Sequence, residues 1–476
     1  MIHLDGRTLE GGGQLVRIAV ALSALTGNPV HIENIRGNRS GKKGLKQSHL
    51  AAIQFLASLT GSSVSGAEVG SSSLSFYPPK TRSNPSAQGQ RINELRVKPA
   101  MKIELPTAGS IFLIFQAIYP YLLHVGAFTE EPISVTITGG TNVSFAPSID
   151  YVAQVLVPNF ARVGLPPVAV HLEKRGWATG PFNLGQVTAI IEPLNLRREG
   201  HHTQRLPHFP LLDLSQFSRG MITCIDITIL APDDPLPRRS SQTIKGKRGR
   251  NVNPTSHRNH FPGSIRQLIE NEMQWELCRE LGKLPSLIFE SSDPGPKLSP
   301  NSSDSVVPIR MHHSEATRCP SRGYILLVAH TSTGFRIGYD ALLTGARTES
   351  PRQQRGRREC SGSEGDVRAA KNMVKTCVEG FVRELYDPHL QDSSVLGRHQ
   401  PCVDKRMRDQ LVVFEALGGK LETTHSEDER YWSLHTQTAR WVCEEMLGDG
   451  RSRDGCVKGS QAPPSIISEL CLHYPR

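Results

Sequence analysis

Residues 9–35 read LEGGGQLVRIAVALSALTGNPVHIENI. The triplet Gly11–Gly13 stands between Glu10 and Gln14, and Arg17 follows one turn later. Val16 to Thr26 reads as a helix, because Leu15, Ile18, Ala19, Leu22 and Leu25 share one face. PVHIENI (29–35) is a predicted strand. GLKQSHLAAIQFLASLTG (44–61) predicts a second helix, with Leu45, His49, Ile53, Leu56 and Leu59 on one side and Gly61 as its stop. Two short strands follow, in SSVSGAEV (62–69) and SSLSFYP (72–78).

The same order then returns. AGSIFLIFQAIYPYLL (108–123) predicts a helix and PISVTI (132–137) a strand. APSIDYVAQVLVPNFARVG (146–164) predicts a helix with Ile149, Val152, Leu156, Phe160 and Val163 inward, and PVAVHLEK (167–174) and QVTAIIEPL (186–194) two strands. Pro29 corresponds to Pro132 and Gly44 to Pro147, both 103 residues apart, which points to duplicated units. A third unit can be assembled from a helix in RAAKNMVKTCVEGFVREL (368–385), strands at DQLVVFEAL (409–417) and KLETT (420–424), and a helix from TQTARWVCEEML (436–447). Open sheets with helices packed on one face are the expected architecture.

The intervening chain has another character. MITCIDITILAP (221–232) and GYILLVAHTSTGFRIGYDAL (323–342) supply strands, and SIRQLIENEMQWELCREL (264–281) a helix. Residues 235–262 hold seven Lys/Arg and no acid among Ser, Pro, Asn and Gly, the composition of a disordered loop. Looser stretches are also expected at 291–322 and 345–366. The expected domains are 1–215, an inserted α/β domain at 220–370, and 371–476.

The chain has 476 residues, too many for one core. A net charge of +10 favours an anionic partner, nucleic acid first. No apolar leader is visible at MIHLDGRTLEGGG, and no run of about 18 apolar residues is seen, so no membrane partner is expected. The nine cysteines form no Cys-x-x-Cys pair, which argues against a zinc site and a disulfide framework.

Four clusters could carry chemistry. Glycines before a helix let backbone N–H groups approach an anion, with Glu10 available to a hard cation and Arg17 to a phosphate oxygen. A tight turn with a solvated Glu and Arg is the plainer alternative. Arg36, Arg39, Lys42, Lys43 and Lys46 place five cations in eleven residues, either a phosphate-contacting loop or a solvated basic one. His435 precedes a helix among Ser433, Thr436 and Thr438, where a hydroxyl is a natural N-cap and an imidazole can act as acid, base or nucleophile. Asp409 starts the predicted strand 409–417 and could fix a histidine tautomer, coordinate a cation, or merely cap that strand.

Together these segments resemble the RNA 3′-terminal phosphate cyclases. The resemblance rests on LDGRTLEGGGQLVRIAVALSALTG (4–27), IRGNRSGKKGLKQSHL (35–50), AGSIFLIFQAIYP, GGTNVSFAPSIDY (139–151), RGW (175–177), MRDQL (407–411) and SLHTQTA (433–439), in the family's order. It implies an α/β (α+β) fold of three repeats, each a small four-stranded sheet backed by two helices, plus a smaller inserted α/β domain. It implies ATP as co-substrate, a divalent cation (Mg or Mn), and RNA with a 3′-phosphate end as partner. By resemblance His435 is the nucleophile that becomes a histidine–AMP adduct, and Glu10 lies near the metal. Arg17, Arg36, Arg39 and Gln14 bind phosphate or RNA. Gln116, Arg406, Met407, Arg408, Asp409 and Gln410 line the ATP pocket. The helix reads Gln47-Ser48-His49 where the family usually has Gln-His, and Arg406 or Met407 replaces an aromatic. Two other readings stay open: a non-catalytic cyclase-like protein of ribosome biogenesis, and an enolpyruvyl-transferase-like enzyme. KGKRGR (245–250) reads as a nuclear import signal, making the nucleus the expected compartment.

Overall fold

The computed structural model describes residues 1–79, 98–129, 131–179, 182–198, 205–236, 263–290, 306–343, 362–387, 400–419 and 432–448. The chain divides into two compact units. One comprises Met1–Ile222, Val328–Gly338 and Asp387–Arg476, the other Thr223–Leu327 and Tyr339–Tyr386.

The first unit contains the duplication. Its first half runs β1 (Ile2–Asp5), α1 (Gly13–Thr26), β2 (Val30–Glu33), α2 (Gln47–Thr60), β3 (Ser63–Ser65), β4 (Leu74–Tyr77). Its second half runs β5 (Ala100–Glu104), α3 (Ile111–Thr129), β6 (Ile133–Gly139), α4 (149–162), β7 (Val168–Lys174), β8 (Gly185–Ile191). The sheet orders are β1-β2-β4-β3 and β5-β6-β8-β7, so the two halves superpose in topology. In each, the first pair is parallel and the other two antiparallel. Strands β1 and β5 escape sequence reading, because IHLD and AMKIE are short and interrupted by charge. β6 alternates buried Ile133, Val135 and Ile137 with half-buried Ser134, Thr136 and Thr138, the pattern of a strand with one face on helices. A short antiparallel pair, β9 (Leu196–Arg198) and β10 (Arg205–Pro207), follows.

α1 is buried around its whole circumference from Gln14 to Thr26 and packs against α2, α3 and α8 (Leu434–Leu447). It is the central helix of this unit. Gly27 and Gly61 end α1 and α2 in the left-handed conformation, as Gly61 was expected to do. α3 corrects one expectation: Ile111–Phe128 is long and apolar enough to cross a membrane, despite Gln116, Pro120 and His124. It is 83% buried inside the protein, as a core helix is.

α4 runs Ile149–Tyr151, a π-helical turn Val152–Leu156, and Val157–Arg162. Pro158 explains the irregularity, since its missing N–H cannot reach the Gln154 carbonyl. Arg336 Nη1 donates to that carbonyl instead, at 3.2 Å. Asn159 braces the same segment by accepting from Arg336 N (2.9 Å) and donating to Arg336 O (2.8 Å).

The smaller unit holds most of a third four-stranded sheet, ordered β12-β11-β13-β14. Its strands are β11 (Ile222–Pro232), β12 (Ile309–Thr317), β13 (Tyr324–Thr331) and β14 (Arg336–Leu342), and β11 pairs parallel to β12 after the crossover helix α5 (Ile265–Leu281). β12 lies in a stretch expected to be loose. IRMHHSEAT is mostly exposed at a sheet edge, so it lacks an apolar signal. α6 (Gly362–Leu385) packs on α5 and groups with this unit, although it was assembled with the third repeat. Its start also falls in the loose stretch expected at 345–366.

Back in the first unit, α7 (Lys405–Leu417) replaces the strand expected at 409–417. Asp404 caps this helix by accepting from Met407 N at 2.9 Å, and Met407, Leu411 and Phe414 recur at helical spacing. The basic stretch 237–262, with Lys245–Arg250, and the expected strand at 420–424 lie outside the described residues.

Candidate active site

The site is built where the N-terminal ends of α1, α2 and α8 meet. α8 begins at Ser433, whose Oγ accepts from Thr436 N at 2.9 Å, the hydroxyl cap expected from the sequence. The imidazole of His435 is therefore in the first turn. Asp409 hydrogen-bonds that turn and reaches the imidazole only through its charge. Its Oδ1 accepts from Ser433 Oγ (2.7 Å) and Thr436 Oγ1 (2.5 Å), which ties α7 to the start of α8. Burial pushes the Asp409 carboxyl up, against those two hydroxyls.

Gln14 takes the orienting role that sequence reading offered to Asp409. His435 Nδ1 lies 2.8 Å from Gln14 Oε1. With an amide oxygen as partner, Nδ1 carries the proton and Nε2 keeps its lone pair. The ring is half-exposed. Burial lowers its pKa, followed by Asp409, which raises it, and Arg17 and Arg39, which lower it; the net direction is down. The imidazole is therefore neutral at pH 7.

Glu10 lies beside it, with Oε2 3.8 Å from His435 Nδ1. Glu10 N donates to Thr438 Oγ1 at 3.1 Å, so the glycine turn is pinned to α8. Both carboxylate oxygens are buried and accept no hydrogen bond among the described residues, and Oε1 forms an ion pair with Arg39. The triplet explains the fit. A Cβ at Gly12 would lie 2.1 Å from the Glu10 carboxylate, and one at Gly13 would lie 2.2 Å from His49 Nε2. Gly11 has φ +60°, a conformation that favours glycine.

Cations surround this pair. Arg17 is buried and donates from Nε to Gln116 Oε1 at 3.0 Å. Burial brings its pKa to about 10, so it stays charged. Arg36, also buried, donates from Nη1 to the Lys42 carbonyl, and burial lowers its pKa. Lys46 is lowered by burial and then by Arg36, Arg39 and Arg17. Like charges held this close call for an anion.

His49 is the residue whose place in the site sequence reading missed. It caps α2 by accepting Lys46 N–H at Nδ1 (3.2 Å), which leaves its proton on Nε2, facing Gly13. Burial, then Arg17, Arg36 and Lys46, hold its pKa well below the usual range. The sequence marked it only as a residue on the buried side of α2.

A shallow pocket opens beside Gln116, lined also by Phe115, Tyr119, Pro147, Gln410 and Phe414. Under it Phe115 stacks on Tyr119 (4.8 Å) and Tyr119 on Phe160 (5.5 Å). The other residues taken for the ATP pocket are spread around α7. The Arg406 guanidinium lies 4.9 Å from the Tyr151 ring centre. Met407 is fully buried, and Arg408 pairs inside with Glu415 Oε2 at 2.8 Å. Glu10, Gln14, Arg39 and His435 are brought into contact, Arg17 and Gln116 adjoin them, and Met407 and Arg408 turn inward.

A duplicated βαβαββ unit, with a neutral histidine and a glycine-lined helix mouth among cations, defines an anion-handling α/β protein. The chain belongs to the RNA 3′-terminal phosphate cyclase family, whose profile matches residues 8–450. It is similar to RNA 3′-terminal phosphate cyclase of Methanosarcina mazei, at 41% identity over 205 residues, 43% of this chain and 51% of the relative. The Thermococcus onnurineus protein of that name is 36% identical over 198 residues, 42% of this chain and 51% of the relative. That of Methanosarcina barkeri is 35% identical over 234 residues, 47% and 64%. The chain thus spans about half the length of the first curated relatives it matches.

Proposed function

We propose that the chain is an ATP-dependent RNA 3′-phosphate cyclase working through a covalent histidine–AMP intermediate. The observation that carries this reading is His435 held by Gln14 at 2.8 Å with Nε2 free to react, beside a buried Glu10 and a ring of cations. Nε2 attacks the α-phosphorus of ATP; a P–N bond forms, a P–O bond breaks and pyrophosphate leaves. An oxygen of the RNA 3′-phosphate then attacks the same phosphorus, and the P–N bond breaks to release the imidazole. The neighbouring 2′-hydroxyl attacks the activated 3′-phosphorus and gives its proton to solvent; AMP leaves and a 2′,3′-cyclic phosphate remains. Such steps demand mainly charge neutralisation and in-line placement. Arg17, Arg36, Arg39 and Lys46 supply the former, and Gln116, Gln410 and the adjoining pocket would hold the nucleotide.

The donor set also fits a divalent cation. A buried carboxylate that accepts no hydrogen bond is a ready oxygen ligand, so Glu10 would hold Mg or Mn. The cation would supply further neutralisation of phosphate charge.

Incubation with α-labelled ATP and a divalent cation tests the reading. A labelled, acid-labile adduct is expected on the wild type and none on His435→Ala. Absence of adduct on the wild type discards the reading in favour of a non-catalytic relative acting in ribosome biogenesis. Residence in the nucleus is a further part of the proposal, resting on Lys245–Arg250. Exclusion of a fluorescent fusion of the full chain from the nucleus would discard that part.

A further inference from the structure

Phe145 is fully exposed, and its backbone is left-handed at φ +60°, which a bulky side chain avoids. Such conformations persist where surrounding structure imposes them, and they cluster at binding sites. The surrounding loop is firmly braced. Thr141 N and Asn142 N both donate to the Gly176 carbonyl, at 2.9 and 3.0 Å, and Ile149 N donates to Thr141 O at 3.1 Å. The neighbouring hairpin loop is joined through bridges of Trp177 to Asn142 and Asn183, and it carries a second exposed ring, Phe182. Two residues beyond Phe145, Pro147 lines the pocket shared with Gln116 and Gln410. Phe145 itself is no part of that lining. An aromatic ring is thus held in solvent on a braced loop, two residues from the wall of the pocket that adjoins Gln116.

We infer that Phe145 is a stacking platform for a base of single-stranded RNA whose 3′ end occupies the site. The inference rests on the cyclase reading. A polymer is the occupant because the ring is no part of the pocket lining, and an RNA held by its 3′ end at the cations carries further bases that can reach it. Any base has a π-face, so the platform is tolerant of sequence.

Phe145→Gly removes the ring and relieves the left-handed strain together. The test measures, on the full chain, the thermal midpoint, His435 adenylylation with ATP alone, and binding of a short single-stranded RNA with a 3′-phosphate. The expected result is an unchanged or higher midpoint, unchanged adenylylation, and RNA affinity lower by about tenfold. Phe145→Trp is expected to keep the affinity. Wild-type RNA affinity in Phe145→Gly overturns the inference, and so does a loss confined to the KM for ATP, which would make the ring a contact of adenine. Failure of the wild type to adenylylate strikes the cyclase reading itself, whereas normal adenylylation with unaltered RNA binding strikes only the platform.

Discussion

His435 Nδ1 meets Gln14 Oε1 at 2.8 Å across 421 residues of chain. The contact sets which ring nitrogen is protonated, because the amide oxygen can only accept. Gln14 is buried in the first turn of α1 and cannot follow a rotating imidazole. Gln14→Ala is expected to lower the adenylylation rate by about 10–100-fold, a usual cost for losing the partner that orients a reactive histidine. Gln14→Glu keeps an acceptor and should retain more activity than Gln14→Ala. Equal rates in wild type and Gln14→Ala, measured by single-turnover labelling, would remove Gln14 from the mechanism.

The pH dependence follows from the charges around the ring. Only the neutral imidazole is a nucleophile, so the rate should rise with pH through the His435 pKa and level off. That pKa is lowered, chiefly by burial, so the acid limb lies at lower pH than for an ordinary histidine. Arg39 lowers it and Asp409 raises it. Arg39→Gln should therefore move the acid limb to higher pH, and Asp409→Asn to lower pH. A pH–rate profile of each variant checks the signs, and shifts in one common direction would contradict this electrostatic account.

The three glycines should not fail alike. An added methyl at Gly12 meets the end of the Glu10 side chain, which can swing away. Gly12→Ala is expected to fold, with Glu10 displaced and metal-dependent activity lost. At Gly13 the obstacle is the buried His49 ring, at 2.2 Å from Nε2. Gly13→Ala should cost about 1–3 kcal/mol of stability, the usual penalty for overpacking. Denaturant midpoints beside activity assays separate the two outcomes.

These contrasts mark what the sequence discloses. The repeat was legible because amphipathic helices and buried strands, such as Ile133–Ile137, keep strong periods. β1, β5 and β12 were not, since short or exposed strands carry few apolar residues. DQLVVFEAL read as a strand from its β-branched run, although the cap at Asp404 and the spacing of Met407, Leu411 and Phe414 specify a helix. Family resemblance flagged Glu10, Gln14 and His435, but no spacing in the sequence indicates that Thr438 holds Glu10 N or that His49 backs Gly13. Those contacts exist only once α1, α2 and α8 have packed.

Acid stability depends on histidines buried in the neutral state. His124 is buried, and desolvation lowers its pKa from 6.5 to about 4. Above pH 6.5 neither folded nor unfolded chain protonates it, and its contribution is complete. Between pH 6.5 and about 4 only the unfolded chain takes the proton, so stability falls with pH by on the order of 3 kcal/mol. His49 adds to the loss in the same direction. His124→Gln should flatten the decline in urea midpoint between pH 6.5 and 4.5, and an unaltered slope would remove His124 from the account.

The last prediction concerns Arg408, assigned by resemblance to the ATP pocket. Its guanidinium meets Glu415 Oε2 at 2.8 Å, and both side chains are buried. Removing one member of such a pair leaves an uncompensated charge, at a cost of about 3–5 kcal/mol. Replacing both by apolar groups of similar size is often neutral. Arg408→Ala and Glu415→Ala should each lower the thermal midpoint sharply, while Arg408→Met with Glu415→Leu should restore it. If the pair serves only the fold, the double variant also recovers its KM for ATP. A stable double variant with a strongly raised KM would instead place Arg408 on the nucleotide. Stability and KM measured on the same three variants therefore decide between the two roles.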